Sequence, residues 1–174
     1  MKKAYLLFIT RKLVFIFTII LIFTTFTLSA QTKTNFTGTW NLNTGQSQLG
    51  EGFGRRAATK MVITQTANSL TNERTSTRQS GETITMKESY NLDGTETDNS
   101  SDNRKKKSNA SWSANMEELT VVSSTVFERD GNTMEMKSTE VYKLSSDKIV
   151  LTIENVMSSQ RGDFKTTLVY DLVQ

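Results

Sequence analysis

Two glutamates occupy equivalent positions in the chain, each two residues before a tyrosine. Glu88 precedes Tyr90 and Glu140 precedes Tyr142. In an extended chain, residues two apart point to the same face, so each carboxyl lies beside a phenol. Burying an ionised carboxylate is costly unless it is paired. This pattern predicts a site for a polar head group or a cation, unless the acids lie at an open rim or pair with an inward Arg.

Other candidates share the same apolar faces. Tyr170 closes a third segment of this kind, Met86 precedes Glu88 by two residues, and Met136 precedes Glu140 by four. Methionine fills gaps in cores and also suits adaptable pockets. The predicted ligand-contacting residues are Glu88, Tyr90, Met86, Met136, Glu140, Tyr142 and Tyr170.

The composition excludes most enzyme chemistry. The sequence contains no His and no Cys, which removes the commonest general base, the commonest metal ligand and any disulfide. No nucleophile–base pair or metal-ligand set is visible without them. Two carboxylates could act in glycoside hydrolysis, but the sequence does not define their separation. We predict no enzymatic activity, no metal and no cofactor.

The candidate residues lie on segments with period-two alternation. Apolar and polar residues alternate through 82–92, 133–144 and 164–173, as in half-buried antiparallel strands. Short turns containing Gly, Asp or Ser separate such segments, and these turns are typical of hairpins. We predict an all-β fold with eight to ten strands, at 36–42, 60–66, 69–78, 82–92, 94–99, 105–113, 117–128, 132–144, 147–158 and 163–173.

One unit is repeated three times. A Leu-Thr pair at Leu70, Leu119 or Leu151 is followed by nine or ten residues and a Gly, and then by a strand closing in Tyr-x-Leu. Each unit reads as a β-hairpin, and consecutive hairpins form an up-and-down meander. A twisted sheet of this size closes or splits, and closure removes its edges. We predict a closed barrel with room for its own side chains or one small ligand.

The amino-terminal segment differs from the rest. It is basic, then apolar from Leu13 to Phe23, then rich in small residues up to Ala30, which is typical of a secretory signal peptide. A cut after Ser29 and an uncleaved membrane anchor are the alternatives. We predict a signal peptide at 1–30, a barrel domain at 31–174, and export to the periplasm or the outside of the cell.

The leader also explains the positive charge. The net charge is +3, from 21 Lys and Arg against 18 Asp and Glu. The leader holds four basic residues and no acid, so 31–174 carries 17 against 18, a net −1. We expect a monomer that binds no nucleic acid and contacts a membrane only through its leader. The basic run Arg104–Lys107, within the polar segment 98–108, is interpreted as a solvated loop.

The stretch Phe-Thr-Gly-Thr-Trp-Asn-Leu-Asn at 36–43 resembles the first strand of lipocalin-like proteins of the calycin superfamily. In that family a Gly-x-Trp opens the strand and the Trp plugs the closed end of the barrel. The resemblance implies that Gly38 and Trp40 form this plug, and Trp112 is expected to be a second plug. The segment 42–52 is also similar to one in small exported bacterial proteins of this architecture, most of them uncharacterised.

Two related architectures fit less well. Intracellular fatty-acid carriers share a Gly-Thr-Trp start but insert a helix pair after it, and residues 44–58 are too short and Gly-rich for that. We predict a loop there. An outer-membrane barrel would turn its apolar face to lipid, and Glu88, Ser138 and Glu140 on that face argue against it.

The sequence is consistent with two functions. The first is an exported protein that carries or sequesters a small apolar or amphipathic molecule in its barrel. The second is a non-enzymatic interaction or structural module of the cell envelope, whose barrel is filled by its own side chains. The free volume inside the barrel separates the two functions.

Overall fold

Ten antiparallel strands run up and down along the chain in the computed structural model. The structure describes residues 32–50, 57–78, 80–102, 104–129, 132–160 and 162–173. The strands are β1 (Gly38–Leu42), β2 (Lys60–Gln65), β3 (Ser69–Thr77), β4 (Thr83–Asn91), β5 (Thr97–Asp98), β6 (Arg104–Trp112), β7 (Leu119–Arg129), β8 (Asn132–Leu144), β9 (Val150–Ser159) and β10 (Gly162–Leu172). The predicted all-β antiparallel meander is confirmed.

The sheet curls into a nearly closed barrel because its first and last strands pair. β1 lies between β2 and β10, with Trp40 opposite Leu172. The remaining edges, β4 and β5, are the two ends of the sheet order. No helix capable of crossing a bilayer lies in the described part of the chain.

Side chains join the two sheet edges at a seam between β4 and β5. The Asn99 amide accepts a hydrogen bond from the Ser89 backbone N–H and donates one to the Ser89 carbonyl, both at 2.9 Å. Thr97 Oγ1 accepts from the Asn91 N–H at 3.0 Å. These side chains satisfy backbone groups of β4, which has no ladder partner on this side.

The repeated unit is a hairpin in which its first Leu lies directly opposite its Tyr. All six of these side chains are at most 1% exposed. Together they form much of the hydrophobic core. The three pairs are Leu70–Tyr90, Leu119–Tyr142 and Leu151–Tyr170. The repeat in the sequence is therefore a repeated cross-strand contact in the barrel interior.

Aromatic side chains pack at the end of the barrel next to the start of β1. Trp40 is 1% exposed, and its Nε1 donates to the carbonyl of Phe36 at 3.1 Å. Phe36 stacks on the half-buried Trp112 with ring centroids 6.0 Å apart. A Cβ at Gly38 would lie 2.7 Å from Leu172 Cδ1 and 3.2 Å from the Trp40 Nε1. Glycine therefore lets the indole approach the strand.

The segment after β1 extends the closure. Asn43 N–H donates to the Val169 carbonyl at 2.8 Å, and Gln48 exchanges two backbone hydrogen bonds with Thr167. These contacts continue the pairing with β10 beyond the end of β1. The centre of the predicted loop, residues 51–56, and the predicted signal peptide at 1–30 lie outside the described residues.

The prediction of a solvated loop through Arg104–Lys107 is wrong. This run starts β6, which is paired with β7 along its whole length. Consecutive side chains of a strand alternate between faces, so Arg104 and Lys106 point inward while Lys105 and Lys107 point outward. β5 is also shorter than the predicted 94–99.

Candidate functional site

Inward side chains become more exposed from the closed end of the barrel toward the other end. Along β4, Tyr90 is 1% exposed, Glu88 4% and Met86 44%. Along β8, Tyr142 is 0% exposed and Met134 41%. One end of the barrel is therefore packed solid, and the other end opens to solvent.

Apolar side chains line the open half. Each of them is an even number of residues away from a core residue on the same strand, so it faces the interior. Each retains partial exposure. The half-buried members are Ile84, Met136, Met157, Phe164 and Leu168.

A layer of charged side chains lies between the packed end and the open half. We refer to it as the charged layer. Three of its members are cationic and two are anionic, so its net charge is +1. It consists of Arg74 on β3, Glu88 on β4, Arg104 and Lys106 on β6, and Glu140 on β8.

Arg74 and Glu140 form a bidentate ion pair inside the barrel. The Arg74 Nη1 and Nη2 donate to the two Glu140 carboxylate oxygens, both at 2.7 Å. The Tyr142 hydroxyl accepts from Arg74 Nη2 and from Asn72 Nδ2, and it donates to Glu140 Oε2 at 3.1 Å. Burial raises the pKa of Glu140, but the charge and hydrogen bonds of Arg74 outweigh burial and hold that pKa at about 2. Glu140 is therefore an ionised, paired acid.

Glu88 forms the second buried ion cluster, across the seam. Lys106 Nζ lies 2.7 Å from Glu88 Oε2 and Arg104 Nη2 lies 3.1 Å from Oε1. The Tyr90 hydroxyl donates to Oε2 at 2.8 Å. Burial raises the pKa of Glu88, but the charges of Lys106 and Arg74 and the hydrogen bonds from Lys106 and Tyr90 together outweigh burial, so the net shift of that pKa is downward. The cluster ties β4 to β6 where no backbone ladder joins them.

The structure brings the sequence-predicted site residues into one interior. Glu88 and Glu140 belong to the charged layer, with Tyr90 and Tyr142 bonded to them. The remaining predicted residues lie on either side of this layer. Tyr170 is fully buried toward the packed end, whereas Met86 and Met136 lie toward the open end.

The alternative given for the two acids, pairing with an inward Arg, is what the structure shows, but which cations pair with them was not identified from the sequence. Arg74 has the same strand parity as the buried Leu70, and Lys106 has the same parity as Trp112 on β6. Side chains an even number of residues apart on a strand share a face, so the sequence pattern alone indicates that both cations point inward. Each predicted acid is matched by a cation from another strand, which leaves neither carboxylate unpaired for a cationic ligand.

The third repeat lacks the glutamate. Leu168 stands two residues before Tyr170, at the position that Glu88 and Glu140 occupy in the other repeats. The described residues form no hydrogen bond with the Tyr170 hydroxyl, and burial raises its pKa to about 12. The charged layer is thus incomplete on the β9–β10 side.

The charged layer can hold the polar end of a ligand by hydrogen bonds and charge. Within the described residues, no cluster of three or more Asp or Glu side chains could hold a metal ion. Three buried polar atoms in the layer or beside it, Arg74 Nε, Asn72 Oδ1 and Asn155 Oδ1, have no hydrogen-bond partner in the described part of the chain.

No protein-family model and no curated protein sequence matches the chain. Among solved structures, the crystal structure of zebrafish ileal bile acid-binding protein complexed with cholic acid is similar, with a TM-score of 0.51 and 16% sequence identity. The match covers 79% of this chain and 98% of the zebrafish protein. At this identity the likeness establishes the fold alone: a calycin-like, nearly closed barrel of ten strands.

Proposed function

We propose that the protein is an exported carrier that holds one small amphipathic molecule in the open half of its barrel. The observation that carries this proposal is the order of surfaces along the interior. An apolar wall with partial exposure leads down to a charged layer, and the packed aromatic end closes the barrel beneath it.

This order suits a molecule with a polar head and an apolar body. Methionine and phenylalanine side chains on the wall would gain roughly 25 cal/mol for each Å² of apolar surface removed from water. The head would meet fixed hydrogen-bonding groups in a water-poor setting, where such contacts orient a ligand. The zebrafish protein holds cholic acid, an amphipathic molecule, and has the same barrel architecture.

Export is the second part of the proposal. It rests on the basic, apolar and small-residue order of segment 1–30. The absence of Cys also means that folding in an oxidising compartment needs no disulfide. The carrier would therefore act in the cell envelope or in the medium.

Native mass spectrometry of protein purified from its own host tests the carrier function. We expect a mass increment that corresponds to one small molecule, which solvent extraction releases. A Ser138→Trp variant should lose this increment, because Ser138 faces the interior beside Met136 on β8. Thr139→Trp places the same bulk on the outer face of the same strand and serves as the control.

Loss of the increment in Ser138→Trp with retention in Thr139→Trp supports a carrier. Wild-type protein that is purified from its host without any bound molecule contradicts the carrier function. The second function, an envelope module with a self-filled barrel, is favoured in that case. The feature in its favour is the charged layer itself, since Arg74 and Glu140 already bind each other across the interior.

A further inference from the structure

One sector of the charged layer contains polar atoms that the described protein leaves unpartnered. They are Asn72 Oδ1, Asn155 Oδ1 and Arg74 Nε, and all three atoms are buried. The whole Asn72 side chain is 0% exposed. Buried polar groups of native proteins are nearly always hydrogen-bonded, so these three atoms point to a group that lies outside the described residues.

These atoms belong to residues that are linked to Glu140 by hydrogen bonds or by strand register. Arg74 holds Glu140 with its two terminal nitrogens, which leaves its Nε unused. Asn72 bonds the Tyr142 hydroxyl through Nδ2, and that hydroxyl bonds Glu140. Asn155 is the register partner of Glu140 on β9. The unpartnered atoms therefore belong to one site on the β3, β8 and β9 side of the barrel.

The third repeat places no charged side chain in this sector. Leu168 takes the place of a glutamate, so Tyr170 has no carboxylate beside its hydroxyl. Tyr170 is buried on β10, which lies next to the β9 strand that carries Asn155, and the charges of Arg74 and Glu140 both affect the pKa of its phenol. A fourth hydrogen-bonding group thus faces the site without a partner among the described residues.

The types of unpartnered atom limit the chemistry of the missing group. Two amide oxygens accept hydrogen bonds and need a donor, whereas Arg74 Nε donates and needs an acceptor. A carboxylate offers no proton to the amide oxygens. An ammonium offers no lone pair to Arg74 and is repelled by it. A hydroxyl both donates and accepts.

The charges point the same way. Arg74 and Glu140 neutralise each other, so this sector has no net charge. The surplus positive charge of the layer lies in the seam cluster, where Lys106 and Arg104 share Glu88. An anionic head group would select the seam cluster, and an uncharged one would select the neutral sector.

We infer that the head group recognised by this barrel is an uncharged hydroxyl, bound among Asn72, Arg74, Asn155 and Tyr170. This inference rests on the proposed carrier function and specifies its ligand class as an amphipathic alcohol. The hydroxyl donates to an amide oxygen and accepts from Arg74 Nε, while the apolar body lies along the apolar wall of the open half.

Calorimetric titration of the ligand-stripped protein with n-octanol, methyl octyl ether and octanoate tests the inference. The ether cannot donate, and the carboxylate is ionised at neutral pH. We expect n-octanol to bind roughly tenfold more tightly than either of the others, because only the alcohol satisfies a buried acceptor. Tighter binding of octanoate, or equal binding of alcohol and ether, overturns the inference and leaves the carrier function standing.

A substitution of Asn155 tests where the hydroxyl binds. Asn155→Leu should weaken n-octanol binding roughly tenfold and leave methyl octyl ether binding unchanged. Asn41→Leu makes the same substitution on the exposed face of β1 and should change neither. An equal loss for both ligands in Asn155→Leu would show a damaged pocket and not a lost hydroxyl contact. Failure of all three ligands to bind wild-type protein would count against the carrier function itself.

Discussion

At the scale of single residues, the interior of this barrel depends on compensated charge. Five charged side chains lie inside, and each acid contacts at least one cation at 2.7 Å. Such a pair is not a strong source of stability, because desolvation offsets much of the attraction. Removing one partner has a much larger effect, since the other charge then stays buried alone.

Glu140→Gln should lower the free energy of unfolding by about 3–5 kcal/mol, because Arg74 loses its counter-charge. Urea denaturation measures the change. Glu82→Gln is the matched control, since Glu82 pairs with Arg78 at 2.9 Å in an exposed pair. That substitution should change stability by less than about 1 kcal/mol. Similar effects of the two substitutions would contradict the assigned burial of the Arg74–Glu140 pair.

The depressed carboxyl pKa values predict acid sensitivity. The pKa of Glu140 is about 2 in the folded protein, below the ordinary glutamate value of 4.5, and the pKa of Glu88 is also lowered. The stabilisation is therefore complete above about pH 4.5 and disappears as the pH falls toward 2. Urea midpoints measured between pH 7 and pH 3 should decrease in this window. The decrease should be smaller in Glu140→Gln, and an identical pH profile in the variant would refute the assignment.

At the scale of elements, the barrel contains one strong and one weak form of strand pairing. Nine pairs of neighbouring strands are joined by backbone ladders, whereas the seam uses the side chains of Asn99 and Thr97 and the Glu88 cluster. Local opening of a protein starts where few backbone bonds hold the structure. The seam is therefore the expected site of the lowest local stability within the barrel wall.

Asn99→Ala should accelerate hydrogen exchange of the Ser89 amide by roughly tenfold or more, because that N–H then lacks its acceptor. Exchange of amides on β9, far from the seam in sheet order, should not change. Asn41→Ala on β1 provides the control substitution. Uniform acceleration across all strands would indicate global destabilisation and would contradict a local seam.

The repeat also has its physical basis at this scale. A Leu that pairs with a Tyr in each of three hairpins supplies six buried side chains to one core. The first two repeats add a glutamate that bonds its own Tyr, and the third does not. Because Leu168 replaces the glutamate in the third repeat, the polar lining of the barrel is not the same on all sides.

At the scale of the whole molecule, the two ends of the barrel have different roles. Trp40, Phe36 and Trp112 pack at one end, and the methionine-rich wall opens at the other end. The proposed ligand would therefore enter at the open end. The proposed export places this barrel, which is open at one end, outside the cytoplasm.

Intact mass measurement of protein from the envelope or medium of its host tests export. We expect a mass that corresponds to residues 31–174, because the predicted cut follows Ala30. Replacing Lys2 and Lys3 by Glu should reduce the exported fraction, since the basic n-region is part of the targeting signal. Full-length protein of unchanged mass in the cytoplasm would refute the proposal.

The sequence by itself determined the strands and the face to which each side chain points. Alternation along β4 and β8 predicted that Glu88 and Glu140 face the interior, because the two-residue period of a strand is a local property of the chain. The meander followed from short turns between the strands, which join neighbours in sequence. The strand predicted at 105–113 corresponds to β6, but the polar composition of Arg104–Lys107 led to the wrong interpretation of that run as a solvated loop.

Only the tertiary structure decided which charges meet. Arg74 and Glu140 are 66 residues apart, and their contact depends on the pairing of β1 with β10, which curls the sheet and brings β3 opposite β8. Neither the curvature nor the stagger of the strands can be read from local periodicity. The sequence therefore indicated two inward acids, and the nearly closed barrel paired each of them with a cation from another strand.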